Sequence, residues 1–358
     1  MTMKILLLSR YSHRGPSSRV RFYQYLPYLS SQGVHVTVAN LLADEYIEDL
    51  YADRRRRLAP IIGAYTKRLV YLLTNRKFDL LWIEGEILPW LPAWFETIFF
   101  HPGIPYVVDY DDAIFHRYNM HPRFLVRALL GGKIDKVMRQ AALVIVGSRY
   151  LGDYARRVGV KRVEHIPSAI DLNRYPNTPA PKSPFFTIGW IGSPVTKKYL
   201  NLVNTVLAEV CQDGSTRLVL VGSGQLQLNG VPTEIRDWSE ETEVADIQSF
   251  DAGIMPLPDD PWSHGKCGYK LIQYMACGRP VVASKVGVNT EIVEDGISGF
   301  LVNDKDSWVK ALKTLRKSYS IRHRIGKSGR TRVETKYCIQ VTAPRLVSLL
   351  YSATEGLR

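Results

Sequence analysis

Apolar and polar positions along the chain follow two alternating periods. Short, nearly unbroken apolar runs at Lys4 to Ser9, Val34 to Ala39, Leu80 to Ile83, Tyr106 to Val108 and Leu143 to Val146 predict buried parallel strands. His165 to Pro167 adds a further short one. Between these runs apolar residues recur at helical spacing, first over Ser17 to Leu29, with Gly33 ahead of the next strand. Strand, helix and strand in repetition predict a doubly wound parallel sheet.

The pattern breaks over 173–184, where Pro176, Pro179, Pro181 and Pro184 fall in a short polar stretch that reads as a linker. It then resumes. Phe185 to Ile191, Arg217 to Val221, Ala252 to Met255, Pro280 to Ala283 and Gly299 to Val302 are the expected strands of a second sheet, with a helix through about Val210 after the first of them. The chain thus divides into an α/β domain over 1–172, the linker 173–184 and a second α/β domain over 185–337. A C-terminal helix at about 338–358 is expected to pack back onto the first domain. Open sheets of this kind bind ligands outside the carboxyl ends of their strands. Two of them facing each other would form a cleft suited to a two-substrate reaction.

Composition narrows the partners. A hydrophobic content of 46% and a charged content of 23% exclude disorder as the main state. The formal net charge of +13 is uneven: residues 1–170 hold 24 Lys and Arg against 15 Asp and Glu, and the remainder 23 against 19. A basic first domain attracts anionic lipid, phosphorylated substrates or nucleic acid. No nucleic-acid-binding motif accompanies the charge, so no specific nucleic acid is expected. The run Arg54 to Arg57 suits either a solvated helix face or a lipid surface. The four cysteines, Cys211, Cys267, Cys277 and Cys338, form no CxxC pair and have no spaced histidines, which weighs against zinc and disulfides and fits a reducing compartment. The N-terminal apolar run is too short for a signal peptide. The stretch Ile87 to Val108 is interrupted by Glu96, His101 and four prolines, so it suits lying on a membrane better than crossing one. The expected location is cytoplasmic, with peripheral contact at the inner membrane face.

The most informative segment runs from Gly265 to Ser284, GKCGYKLIQYMACGRPVVAS. A glycine loop enters a helix near Gly268, and Gly278 closes it before a buried strand. The first amides of a helix are unpaired and carry partial positive charge, which makes such a start an anion site. Lys270 in the first turn opposes the helix dipole; a bound diphosphate would compensate. The alternative is an exposed lysine on an amphipathic helix.

This segment, with Gly287-Val-Asn-Thr-Glu291-Ile-Val and Gly299-Phe-Leu-Val, resembles the donor half of retaining glycosyltransferases of family 4 (glycosyl transferases group 1), which have the GT-B fold. Ile166-Pro-Ser-Ala-Ile-Asp171 and Leu220-Val-Gly-Ser-Gly224 agree in order and spacing. The resemblance implies an α/β GT-B architecture, two Rossmann-like domains facing each other across a cleft, with nucleotide sugar on the second. It implies a donor site at Gly192, Ser193, Lys197, Gly265, Gly268, Gln273 and Glu291, with Lys270 catalytic. The family places two glutamates eight positions apart where this chain has Gly265 and Gln273. Gln273 retains hydrogen-bonding capacity toward a ribose; Gly265 offers backbone only, and His264, Asp259 and Asp260 are the nearest polar substitutes. Where the family has an arginine for the diphosphate this chain has Ser193, which shifts weight onto Lys197, Lys270 and the helix amides.

On the acceptor side, Tyr106 to Phe115 (YVVDYDDAIF) ends a strand in carboxylates. Asp109 and Asp111 share a face if the strand continues, and Asp112 turns away. Relatives often carry a histidine at the Asp111 position, so Asp111 is a catalytic candidate that would orient the donor sugar or the acceptor hydroxyl; the alternative is helix capping or pairing with arginines. The loop Ser12 to Arg21 lacks GxGxxG, which weighs against a dinucleotide oxidoreductase. Gly15 would admit the donor phosphate, and Arg19 and Arg21 suit an anionic acceptor or else pair with Asp111 or Asp112. The resemblance implies no bound cofactor, a reaction that needs no metal, a nucleoside-diphosphate sugar as donor and a glycan or lipid-linked acceptor, in polysaccharide, lipopolysaccharide or glycolipid synthesis. The alternatives are an inactive GT-B protein that binds sugar nucleotide or glycan, and a GT-B sugar-nucleotide epimerase.

Overall fold

The computed structural model describes residues 3–51, 54, 57–74, 77–98, 104–179 and 183–355. Arg55 and Arg56 of the basic run, His101, Pro181 in the linker and the last three residues of the expected C-terminal helix lie outside the described residues. The chain forms two compact units. One runs through Ser168 and includes Gly265–Cys267 and the segment from Thr342; the other is Ala169–His264 with Gly268–Val341.

The first unit is built on β1 (Met3–Tyr11), β2 (Val34–Leu42), β3 (Leu80–Glu84), β4 (Tyr106–Tyr110), β5 (Leu143–Val146) and β6 (Val163–His165). These form one sheet in the order β2-β1-β3-β4-β5-β6, parallel throughout. Strands β3, β4 and β5 are buried at every position, as expected for strands covered on both faces. The order reverses between β1 and β3, and such switch points open ligand crevices at carboxyl ends. The helix Ile339–Glu355 joins this unit over its later turns: Thr342 Oγ1 lies 2.8 Å from Tyr25 Oη, and Arg162 donates to Ser352 Oγ at 2.7 Å.

The second unit holds β7 (Phe186–Ile191), β8 (Thr216–Val221), β9 (Thr233–Arg236), β10 (Ala252–Met255), β11 (Val281–Ser284) and β12 (Phe300–Val302). Its order, β12-β11-β10-β7-β8-β9, is the doubly wound dinucleotide-type arrangement, with the switch between β7 and β10. Both units are therefore Rossmann-like.

Three sequence expectations need correction. The helix over Ser17 to Leu29 is instead a helix Pro16–Arg21, a 3-10 turn Tyr23–Tyr25 and a second helix Leu26–Ser31. Phe22 leaves helical geometry (φ −130°, ψ −63°), fully buried against Trp82, and Pro27 restarts the helix because it has no N–H to continue one. The strand placed at His165 to Pro167 is Val163–His165; Pro167 cannot donate to a ladder. Strand β9 was not expected at all. It is a half-buried edge whose Glu234 and Arg236 are held by ion pairs with Arg217 and Asp246, so its composition carries no apolar run.

Candidate functional site

In the first unit the carboxyl ends of β1, β3 and β4 gather the charges. Asp109 and Asp111 both meet the helix Pro16–Arg21. Arg21 Nε and Nη2 donate to Asp109 Oδ1 at 2.9 and 2.8 Å, with both side chains about 3% exposed, and Arg21 Nη1 donates to the Ile166 carbonyl at 2.9 Å. Asp111 accepts from Ser17 Oγ. Asp112 points elsewhere and pairs with Lys266 Nζ at 3.0 Å. Arg21 is thus committed to Asp109, and Arg19 is buried at 6% exposure, so neither guanidinium presents itself to solvent.

Glu84, which the sequence did not single out, completes this cluster. Its Oε2 accepts from Ser18 Oγ at 2.6 Å and from the Arg10 amide at 2.7 Å, while the Tyr11 amide donates to Ser18 Oγ at 3.1 Å. Burial first, and then the nearby Asp111 charge, push the Glu84 carboxyl up to about 7. Burial and Asp112 raise Asp111 as well. Arg10, Ser17, Glu84, Asp111, Asp112 and Arg117 line a cavity of about 110 Å³. Behind it Lys133 Nζ bridges Glu86 and Glu96, at 2.7 Å to each, and donates to the Leu88 carbonyl at 2.6 Å. Two acids flanking a glycine at the end of an apolar strand, Glu84-Gly-Glu86, were the available signal.

Gly15 caps the helix Pro16–Arg21 with φ −72°, and its lack of a side chain is needed because a Cβ there would overlap Tyr11. Gly265 is similarly enclosed: a Cβ would overlap that of Ala113 and come within 2.9 Å of its backbone nitrogen. No side chain fits at this position without a backbone shift.

In the second unit Gly192 follows β7 at the switch point. Its amide donates to the Val221 carbonyl at 3.0 Å. A Cβ there would sit 2.7 Å from Lys270 Nζ, so only glycine lets the lysine come this close to the β7 loop. The ammonium lies 4.9 Å from the Trp190 ring centroid, within cation–π range. Lys270 is in the first turn of the helix Tyr269–Ala276, which Gly268 enters in the left-handed region (φ +67°). Ser193 turns the loop by accepting from the Thr196 amide at 3.0 Å, and Lys197 Nζ donates to the Gln225 carbonyl at 2.8 Å. The structure therefore brings Gly192 and Lys270 together. It ties Lys197 to a loop carbonyl.

Gln273 lies on the same helix but faces inward at 3% exposure. Its Nε2 donates to Tyr175 Oη at 3.1 Å; that hydroxyl donates to Glu243 Oε1 at 2.8 Å, and Trp238 Nε1 donates to Glu243 Oε2 at 2.8 Å. The Tyr175 proton is already used, so its partner must be a donor. An amide satisfies this and an ionised carboxylate does not. His264 Nε2 and Asp259 Oδ1 are 2.6 Å apart, and Asp260 accepts from the Ser263 amide. The Glu291 carbonyl accepts from Arg332 and Tyr337. Among the described residues no group of three or more His, Cys, Asp or Glu side chains is arranged to hold a metal ion.

Residues 185–318 match the family model described as glycosyl transferases group 1. Sucrose-phosphate synthase of Thermosynechococcus elongatus superposes with a TM-score of 0.73 at 16% identity, over 99% of this chain and 100% of that one. HepE of Anabaena, solved with UDP and glucose, gives 0.69 at 16% identity over 98% and 100%. A D-inositol 3-phosphate glycosyltransferase of Acidothermus cellulolyticus is 33% identical over 104 residues, 25% of this chain and 22% of that protein. The matched segments span about a fifth of the length of the curated relatives. The chain has the GT-B fold, and its residues 185–318 are similar to the family of glycosyl transferases group 1.

Proposed function

We propose that the chain is a retaining glycosyltransferase of the family 4 type, moving a sugar from a nucleoside diphosphate to a hydroxyl acceptor. The observation that carries this is Lys270: a cation in the first turn of Tyr269–Ala276, next to the β7 loop at Gly192, inside a group 1 domain. In this reading the diphosphate lies against the helix amides at Gly268 and the loop at Gly192 and Ser193, with Lys197 and Glu291 completing the donor contacts. HepE holds UDP and glucose, which nominates a uridine donor. As the glycosidic bond breaks, negative charge grows on the leaving diphosphate. Lys270 and the amides are fixed before the reaction, so they stabilise that charge without reorganising. No metal enters the scheme.

In the first unit Asp111 accepts from Ser17 and orients a hydroxyl, while Arg21 and Asp109 act by fixing the strand end beside it, and Arg19 lies buried on the same helix. The acceptor is a glycan or a lipid-linked intermediate of polysaccharide, lipopolysaccharide or glycolipid synthesis. The enzyme works in the cytoplasm at the inner membrane face. Gly15 serves here by packing the loop, and Gly265 by seating the donor loop.

The test is release of nucleoside diphosphate from candidate sugar nucleotides on addition of acceptor, with the anomeric configuration of the product read by NMR. Lys270→Ala should lower turnover by about 100- to 1,000-fold with little change in thermal stability. Near-native turnover would remove Lys270 from the scheme. The enclosed Gly265 and the inward-facing Gln273 favour one second reading, a protein that binds sugar nucleotide without transfer. Tight nucleotide binding with no release on any acceptor would establish it.

A further inference from the structure

The exposed large apolar side chains are unevenly placed. Of those among the described residues that stand out from the surface, eleven lie in the first unit, between Leu58 and Leu129, and six in the second. The sharpest case is the helix Phe124–Leu130, FLVRALL. Phe124, Leu125 and Leu129 are 70%, 70% and 71% exposed, while Leu130 is buried. At about 100° per residue, Phe124, Ala128, Leu125 and Leu129 share one arc of about 140°. That arc is the outward face, and Val126 and Leu130 turn inward. An ordinary surface helix has the reverse polarity. An apolar face of this kind marks an interaction surface.

One tryptophan adjoins this helix, and a second follows it closely in sequence. Trp90, 47% exposed, holds φ +66°, the one positive φ among described non-glycine residues. Its amide donates to Tyr118 Oη at 3.0 Å, and that hydroxyl donates to Glu86, so the buried charge cluster fixes the unusual backbone. The indole packs edge-on against His121, 5.9 Å away, which joins it to the segment leading into the helix. Trp94, 62% exposed, follows on the helix Ala93–Thr97. A strained backbone at an exposed tryptophan points to use of the side chain.

We infer that this face docks on an anionic lipid surface, with the outward arc of Phe124–Leu130 and the two indoles entering the headgroup boundary. Charge decides for lipid. No Asp or Glu occurs from 113 to 134, and Arg123 and Arg127 stand exposed at the helix margin, Arg127 lying 6.0 Å over the Phe124 ring. Apolar wedge, cationic margin and interfacial tryptophan are together what an in-plane membrane helix requires. No helix among the described residues is long and apolar enough to cross a membrane, so the contact is one of surface. The inference builds on the inner-face location proposed above, and it is tested without donor or acceptor so that the two can fail separately.

The full chain is sedimented with vesicles of phosphatidylcholine alone and of phosphatidylcholine mixed with phosphatidylglycerol, at low and high salt. Native protein should pellet with the mixed vesicles, less at high salt. Phe124→Ser with Leu129→Ser should weaken binding at least about tenfold, since each apolar side chain withdrawn from lipid is worth at least that. Arg123→Glu, an acid at a helix N-terminus and so compatible with folding, should abolish the preference for the anionic mixture. Leu202→Ser, an exposed apolar site in the second unit, serves as control and should bind as native. Unaltered thermal midpoints establish that the variants fold. Equal pelleting of native protein and the double variant overturns the inference. So does a native dimer in light scattering that the double variant dissociates while neither binds vesicles, because the face would then be covered by a second copy.

Discussion

Gln273→Glu introduces the acid found at this position in the family that the segment resembles, and in this structure it should harm the protein. The native amide donates to Tyr175, whose one proton goes to Glu243. Tyr175, Glu243 and Gln273 are 1%, 2% and 3% exposed. The new carboxyl would face a hydroxyl oxygen with no proton to offer and a second carboxylate just beyond it. Burial and like charge both favour its neutral form, so its folded value rises above the unfolded one. A rise of about 2–3 units corresponds to roughly 3–4 kcal/mol. The sign follows: the variant is near native stability below the unfolded value of about 4.3, where a protonated acid can itself donate to Tyr175, and it loses stability as pH rises through the raised value. Urea unfolding of the full chain at pH 5 and pH 8 measures this. A loss of about 1 kcal/mol at the lower pH should grow to about 3–4 at the higher, or about 6–16 °C in the midpoint of the second unit. A loss that does not change with pH, or a variant as stable as native at pH 8, refutes the hydrogen-bond assignment. Gln273→Leu should cost less than Gln273→Glu at pH 8, because Tyr175 still donates to Glu243 and no second charge is buried.

Other perturbations test the first unit. The Glu84 carboxyl, raised from 4.5 to about 7 by burial and by Asp111, favours its protonated form in the fold. Stability present below pH 4.5 should therefore fall by about 3 kcal/mol as pH climbs toward 7; Glu84→Gln should remove most of that slope in denaturant titrations from pH 4.5 to 8. Gly265→Ala should cost about 1–3 kcal/mol from overpacking on Ala113, and Ala113→Gly in the same chain should recover part of it by differential scanning calorimetry. Lys133→Met leaves Glu86 and Glu96 buried without their shared cation, which should cost about 3–5 kcal/mol, read as a lowered thermal midpoint.

Gly265 and Gln273, where the family that the segment resembles carries glutamates, are each explained by their surroundings. At Gly265 any side chain meets Ala113, and at Gln273 the Tyr175–Glu243 pair requires a donor. Neither cause shows in a motif comparison, because each depends on a residue distant in sequence: Ala113 lies in the loop after β4, and Tyr175 lies before β7. The motif alone presents both positions as losses. In the fold they are fitted residues.

Sequence by itself determined the α/β class, the two sheets and most of their strands, since buried parallel strands are short apolar runs that only one architecture uses in this number and order. It also marked the glycine loop and helix start at Gly265 to Ala276, because glycine punctuation and a helix start are local features. Tertiary structure decided what local patterns do not encode. The polar edge strand β9 forms because β8 and its ion pairs offer it a partner. The first helix breaks at Phe22 because its ring is needed against Trp82. The side chains of Glu84, Asp109 and Asp111 share one end of a sheet although they come from two strands, and only the strand order brings them together. Burial then sets their chemistry: a carboxyl that would be an ordinary acid in the unfolded chain titrates near neutrality once the fold removes its water.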